Sequence, residues 1–246
     1  MTGMNAAYGG GGLQSLTCER CGGAVQLTGE RFAACPYCGQ VYNLSEMRGP
    51  HRGELLLAAD FRDPSVPGWR VYSKEHLRIG EGGRAELVGD FPKQELTTWL
   101  LESSGSFDNI DAAVTIKFLE VEDVTKHCRL GFAVRWTEEG RYSVDIAPKG
   151  NYCVARYEKQ SDGGTWKILV NFVSHPALRV GVGVANRLRV VAYNDHLRVY
   201  INDVLASSVR DSRFTYGTVG IVLENPGSTA KFVLTDLELR EAVENV

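Results

Sequence analysis

The chain has 246 residues, of which 43% are hydrophobic, 9% aromatic and 23% charged, the profile of a globular protein and not of a disordered or collagen-like one. Its net charge of -3 divides into +1 for residues 1–53 and -4 for the remainder, so neither part has the basic excess that draws nucleic acid. No apolar run approaches the length of a membrane span, and the start MTGMNAAYGGGG lacks a basic or apolar leader, so no membrane insertion and a cytoplasmic location are expected.

Residues 1–15, with glycines at 9–12, are expected to form a disordered tail. Two cysteine pairs follow, Cys18-Glu-Arg-Cys21 and Cys35-Pro-Tyr-Cys38, separated by 13 residues. Each pair is followed at once by glycine, Gly22 and Gly39. A Cys-x-x-Cys turn can aim both sulfurs at one tetrahedral ion at about 2.3 Å. Glycine after it supplies the left-handed backbone angle that lets amides point at the sulfurs. Two disulfides or an iron site are the alternatives to zinc. A reduced cytoplasmic setting disfavours the disulfides. Residues 24–33 between the pairs read as a hairpin turning at Thr28-Gly29-Glu30.

This C-x-x-C-G, hairpin, C-P-x-C-G order resembles the zinc ribbon family over residues 16–44, and the second pair is also similar to a rubredoxin knuckle. The resemblance implies one structural zinc held by Cys18, Cys21, Cys35 and Cys38. Such a closed four-thiolate site has no open position for catalysis. With the ion bound, the N-terminal part becomes net acidic, which again argues against nucleic acid. Phe32, Tyr37, Val41 and Tyr42 are candidates either for docking a protein or, the preferred reading, for the ribbon's own small core.

Residues 45–53, containing Met47, Gly49 and Pro50, read as a hinge. From 54 onward the chain alternates strands and turns with no convincing amphipathic helix. Strands are expected at 54–61, 69–72, 76–79, 84–88, 96–101, 112–119, 128–136, 141–147, 152–158, 165–172, 187–193, 196–201, 219–223 and 230–239. Leu188, Val190, Ala192 and then Leu197, Val199, Ile201 put every second residue on an apolar face, as in a half-buried antiparallel sheet. The fold class expected is therefore all-β: a two-sheet antiparallel jelly-roll sandwich over 54–241, preceded by the small ribbon. Cys128 and Cys153, alone within strands, are expected in its core.

The stretches GFAVRW at 131–136, GRYSVDI at 140–146, NRLRV at 186–190, LRVYIND at 197–203 and GTVGI at 217–221 resemble the concanavalin A-like lectin/glucanase family, which includes laminin-G-like modules. Trp166, the segment 232–239, and Asp60, Phe61 and Trp69 also suit it. The resemblance implies the sandwich fold but not the activity, since lectins, adhesion modules and glycosidases share it. The retaining glycosidases of the family carry a Glu-x-Asp-x-x-Glu run. Neither Glu120, Glu122 and Asp123 nor Asp236, Glu238 and Glu241 reproduces it, so no catalytic residues are assigned. A calcium ion between Asp60 and Asp236 is conceivable from the family, though two carboxylates are too few for its usual six to eight oxygens.

Alternation places Arg135, Asp145 and Arg156 on one polar face with Trp166 near its rim, a candidate ligand site. The function expected is a cytoplasmic, bacterial, non-enzymatic binding or scaffold protein whose sandwich takes a protein or glycan partner. The alternatives are a carbohydrate-active enzyme and a nucleic-acid-associated ribbon.

Overall fold

The computed structural model describes residues 6–9, 12–18, 20–26, 32–43, 50–94, 97–124, 126–161 and 163–244. The chain divides into two compact units, Met1–His51 with Val243–Val246, and Arg52–Ala242.

In the smaller unit, β1 (Ala6–Gly9), β2 (Gly12–Thr17) and β3 (Ala24–Gln26) form a three-stranded sheet, while β4 (Phe32–Ala34) and β5 (Val41–Asn43) form a separate pair. Two expectations change here. Part of the stretch read as a disordered tail is strand, β1 and β2 pairing antiparallel. The segments at either end of 24–33 are strands but not partners of one another: β3 pairs with β2, and β4 with β5. Each cysteine pair therefore sits in the turn of its own hairpin. The buried core of this unit is small, made by Val25, Cys18 and Cys35 with Ala33 and Cys38 packed on it. Of the four proposed contact residues, Tyr37 and Val41 are exposed, and the side chains of Phe32 and Tyr42 lie outside the described residues. Most of the expected hinge also lies outside them; its end is strand, since β6 spans His51–Ala58.

The larger unit is the expected antiparallel sandwich. Its strands are β7 (Trp69–Val71), β8 (Leu77–Ile79), β9 (Leu87–Phe91), β10 (Thr98–Ser103), β11 (Ile110–Val121), β12 (Arg129–Thr137) and β13 (Gly140–Ile146). They continue as β14 (Asn151–Gln160), β15 (Gly163–Ser174), β16 (Ala185–Tyr193), β17 (His196–Ile201), β18 (Val204–Arg210), β19 (Thr218–Glu224) and β20 (Ala230–Val243). One sheet has seven strands in the order β15-β14-β13-β12-β19-β10-β7. The other runs β18-β17-β16-β11-β20-β9-β8, with β6 also paired to β20.

The period-two pattern explains the layers. Leu130, Phe132 and Val134 of β12 and Tyr142, Val144 and Ile146 of β13 point into the core from one sheet. Val114 and Ile116 of β11, with Leu188, Val190 and Ala192 of β16, enter it from the other. Cys128 belongs to this core, and Cys153 is equally buried. Bulges break the alternation at two places that matter. In β20, Asp236 takes a left-handed φ of 53°, and the register slips so that Leu234 and Leu237 both face inward. In β12, Arg135 takes φ 52° and the register shifts between Val134 and Thr137. That shift turns Trp136 out of the core, where strict alternation would have kept it.

Candidate metal centre and ligand-binding face

The four ribbon cysteines converge. Their sulfurs all lie within 4.8 Å of one another, with Cys18 Sγ 3.5 Å from Cys38 Sγ and Cys21 Sγ 3.6 Å from Cys35 Sγ. Four sulfurs about 2.3 Å from a central ion stand roughly 3.8 Å apart in a tetrahedron, so the arrangement fits a single ion. The two turns repeat one backbone pattern. The Gly22 amide donates to the Cys18 carbonyl at 2.8 Å, and the Gly39 amide to the Cys35 carbonyl at 2.9 Å. Gly22 and Gly39 sit at φ 73° and 72°, a region open to glycine at no steric cost. The Gly23 amide favours the Cys21 thiolate, but burial and the three neighbouring thiols outweigh it and push Cys21 up to about 12. A cation at the centre favours the thiolate form, in which a sulfur is a metal ligand. Among the described residues this is the cluster of three or more potential ligands able to hold a metal. Asp60 and Asp236, the proposed calcium pair, do not join such a cluster: Asp60 is taken by Arg62 and Asp236 by the Thr235 hydroxyl.

The second candidate site is the outer face of the seven-stranded sheet. Pairing brings Arg141, Ser143 and Asp145 of β13 beside Tyr157, Ala155 and Cys153 of β14 on one side, with Asp145 and Ser143 beside Gly131 and Ala133 of β12 on the other. Beyond β12 come Val222, Gly220 and Glu224 of β19, and then Trp99 and Glu102 of β10. Tyr157 in turn pairs with Trp166 of β15. The floor is thus made of small residues, and long side chains rise around it. Trp99 and Trp136 stack with ring centres 4.0 Å apart, and Tyr157 and Trp166 meet tilted at 53° with centres 5.2 Å apart. The Arg141 guanidinium lies among them, 5.2 Å from the Trp99 ring, 5.1 Å from Tyr157 and 5.2 Å from Trp166.

Charge lines the same face. Arg129 and Glu224 stand opposite each other on neighbouring strands and form an ion pair. Asp145 is only 2% exposed. Burial, with Glu224 adding to it against the opposing pull of Arg129 and Arg141, raises its carboxyl to about 7. Four buried atoms here, Arg129 Nε, Arg141 Nε, Ser143 Oγ and Asp145 Oδ1, have no hydrogen-bonding partner within the protein. Folded proteins leave few such groups, and here four of them gather on one face.

Of the four residues chosen from the sequence, this face gathers Asp145 and Trp166. Arg135 lies elsewhere, because the β12 bulge turns it inward. It is 1% exposed, and its guanidinium donates to the carbonyls of Asp108, Asn194 and Phe214. Arg156 pairs in register with Tyr142, a core residue, and so faces away from Asp145; it bridges Asp211 and Glu158. The sequence reading missed Arg129, Arg141, Tyr157, Glu224, Trp99 and Trp136. Alternation within β12, β13 and β14 already implied Arg129, Arg141 and Tyr157; the others depend on which strands neighbour which. Of the carboxylates weighed as glycosidase runs, Glu120 is bonded by Lys231 and Glu238 is held by Arg52, Arg187 and Arg240.

No protein-family model and no curated protein matches the sequence. Solved structures do resemble it. A carbohydrate-binding module from Bacillus subtilis aligns at 15% identity and TM-score 0.51, covering 71% of this chain and 96% of that one. A Bacillus subtilis protein with a galectin-like fold aligns at 15% identity and TM-score 0.52, covering 80% and 100%. A beta-1,3-glucanase from Mycobacterium marinum aligns at 13% identity and TM-score 0.52, covering 77% and 100%. At such identities the likeness shows a shared jelly-roll sandwich and nothing finer.

Proposed function

We propose that this protein binds a saccharide on the outer face of its seven-stranded sheet and does not transform it, and that its N-terminal unit is held by one structural zinc ion. The observation that carries the reading is the coincidence, on one face, of four aromatic rings with four buried, unpartnered polar atoms. Sugars present apolar C–H faces that stack on aromatic rings and hydroxyls that both donate and accept, and this face offers partners for each. The solved carbohydrate-binding module and glucanase of the same fold support this choice of ligand. Against catalysis, the three carboxylates of the face are not free: Asp145 is buried, Glu224 is committed to Arg129, and Glu102 is held by Arg70 and the Tyr72 hydroxyl. Zinc suits four thiolates in a closed tetrahedron better than the harder cations do. A cytoplasmic setting belongs to the same proposal, because it keeps those thiols reduced.

The test is affinity electrophoresis of the purified chain through gels containing single polysaccharides, with reducing-sugar release measured in parallel. Retention by at least one polymer without release, lost by about tenfold or more in Trp166→Ala, is the expected result. Release of sugar at a sustained rate, or free passage through every gel, overturns it.

A further inference from the structure

Most of the well-covered arginines of the sandwich meet an acid or a carbonyl at hydrogen-bonding distance inside the protein; Arg141 does not. Arg129 faces Glu224, Arg156 faces Asp211 and Glu158, and Arg189 grips Asp111 through contacts of 2.6 to 2.9 Å. Arg135 is satisfied by main-chain carbonyls. Arg141 is 7% exposed, yet among the described residues it forms no ion pair. Its one hydrogen bond is a long 3.4 Å contact from Nη2 to the Thr97 hydroxyl, and its Nε has no partner. Three rings stack around the guanidinium and leave its hydrogen-bonding edge as the part that lacks a match. Glu224 and Asp145 act on Arg141 only through space, and a buried cation with no anion in contact is costly to hold; stacking on rings offsets only part of that cost. Packing alone would be served as well by a leucine or methionine.

We propose that the Arg141 guanidinium receives a carboxylate carried by the ligand, so that the saccharide bound on this face is an acidic one built from uronic-acid units. The inference rests on the saccharide-binding reading above and names its ligand class. The planar Nε–Nη edge of an arginine matches the two oxygens of a carboxylate, whereas a neutral sugar hydroxyl satisfies one donor and leaves the charge unanswered. The nearby acids do not touch the guanidinium. Glu224 is engaged by Arg129, and burial holds the Asp145 carboxyl well above its ordinary range, toward the neutral form. In that form it can donate to a ligand oxygen.

The experiment uses the full chain in affinity electrophoresis against polygalacturonate, alginate and hyaluronan, each beside its own carboxyl-reduced, neutral form, with dextran sulfate as a sulfated arm. At least one acidic polymer is expected to retard the protein about tenfold more strongly than its reduced counterpart. Arg141→Gln should erase that difference, and Arg141→Lys, which keeps the charge but loses the fork, should restore only part of it. Trp166→Ala should weaken acidic and reduced forms alike. Arg84→Gln, a surface charge far from the face, should change nothing. Thermal melting of each variant separates loss of binding from loss of fold. Equal retention by acidic and reduced forms, or a preference surviving in folded Arg141→Gln, overturns the inference and leaves the saccharide reading standing. Preference for the sulfated polymer alone overturns the carboxylate assignment. Passage of the wild-type chain through every gel, neutral ones included, overturns both.

Discussion

The indole of Trp99 lies across Gly220, so that a Cβ at position 220 would stand 2.7 Å from its ring. Glycine here is a matter of room, because the added atom would also come within 2.8 Å of the Leu101 carbonyl oxygen. The relationship fixes Trp99 flat on the sheet, where it stacks on Trp136 and flanks Arg141. Gly220→Ala is therefore expected to lift the indole, destabilise the sandwich by about 1–3 kcal/mol and weaken ligand binding. Urea unfolding and tryptophan fluorescence check it; unchanged stability with an unchanged emission spectrum would show that the ring is not pinned.

Arg135 should prove structural. Arg135→Met keeps the bulk but strands the carbonyls of Asp108, Asn194 and Phe214. A loss of about 2–4 kcal/mol is expected in urea titration, with saccharide affinity of the remaining folded protein unaltered. Intact stability combined with lost binding would return Arg135 to the ligand site.

Asp145 makes stability depend on pH. Burial, the largest cause, raises its carboxyl from the ordinary 3.8 to about 7. From about pH 4 to pH 7 the folded chain therefore holds a proton that the unfolded chain has released, and this group's contribution to stability falls as pH rises through that window. Asp145→Asn cannot ionise, and it should gain on the wild type by a few kcal/mol between pH 5 and pH 8. Melting temperatures across that range test this. A wild-type curve that climbs relative to the Asn variant over the same interval contradicts it.

Removing the metal should act on the small unit. Its core is a handful of residues, too few to hold five short strands unaided. A strong chelator, or Cys38→Ser, is expected to abolish the protection of the β2 to β5 strand amides from hydrogen exchange while the sandwich, with its own core, keeps its melting transition. Elemental analysis should give one zinc per chain before treatment. Protection that persists after the ion is stripped would mean that the strands need no metal.

The sandwich was legible because its alternation is long and clean. Val190 and Val199 could face only one way in β16 and β17, and the turns at Asn194-Asp195 and Asn202-Asp203 set the register. β18 escaped notice because two serines, Ser207 and Ser208, interrupt its apolar pattern on an edge where burial demands little. β1 and β2 escaped because glycines around them look like a tail. For the ligand face, alternation sufficed wherever a strand is regular, as at Asp145. It failed at Arg135, where one bulged residue reverses the faces; at Arg156 the face was misassigned, because regular alternation from core residues Tyr152 and Val154 puts Arg156 on their side, away from Asp145. The gathering of Trp99, Arg141 and Trp166 depends on three strands that are far apart in sequence, which no local pattern announces.

In the small unit, Cys18 and Cys21 sit between β2 and β3, while Cys35 and Cys38 sit between β4 and β5. Among the described residues, the two sheets they serve share no strand pairing. An ion gripped by all four sulfurs thus works as a clasp with one jaw on each hairpin, and neither hairpin is large enough to stand firmly by itself. Whatever takes the sulfurs away, whether an oxidant or a competing thiol-seeking metal, opens the clasp and parts the jaws.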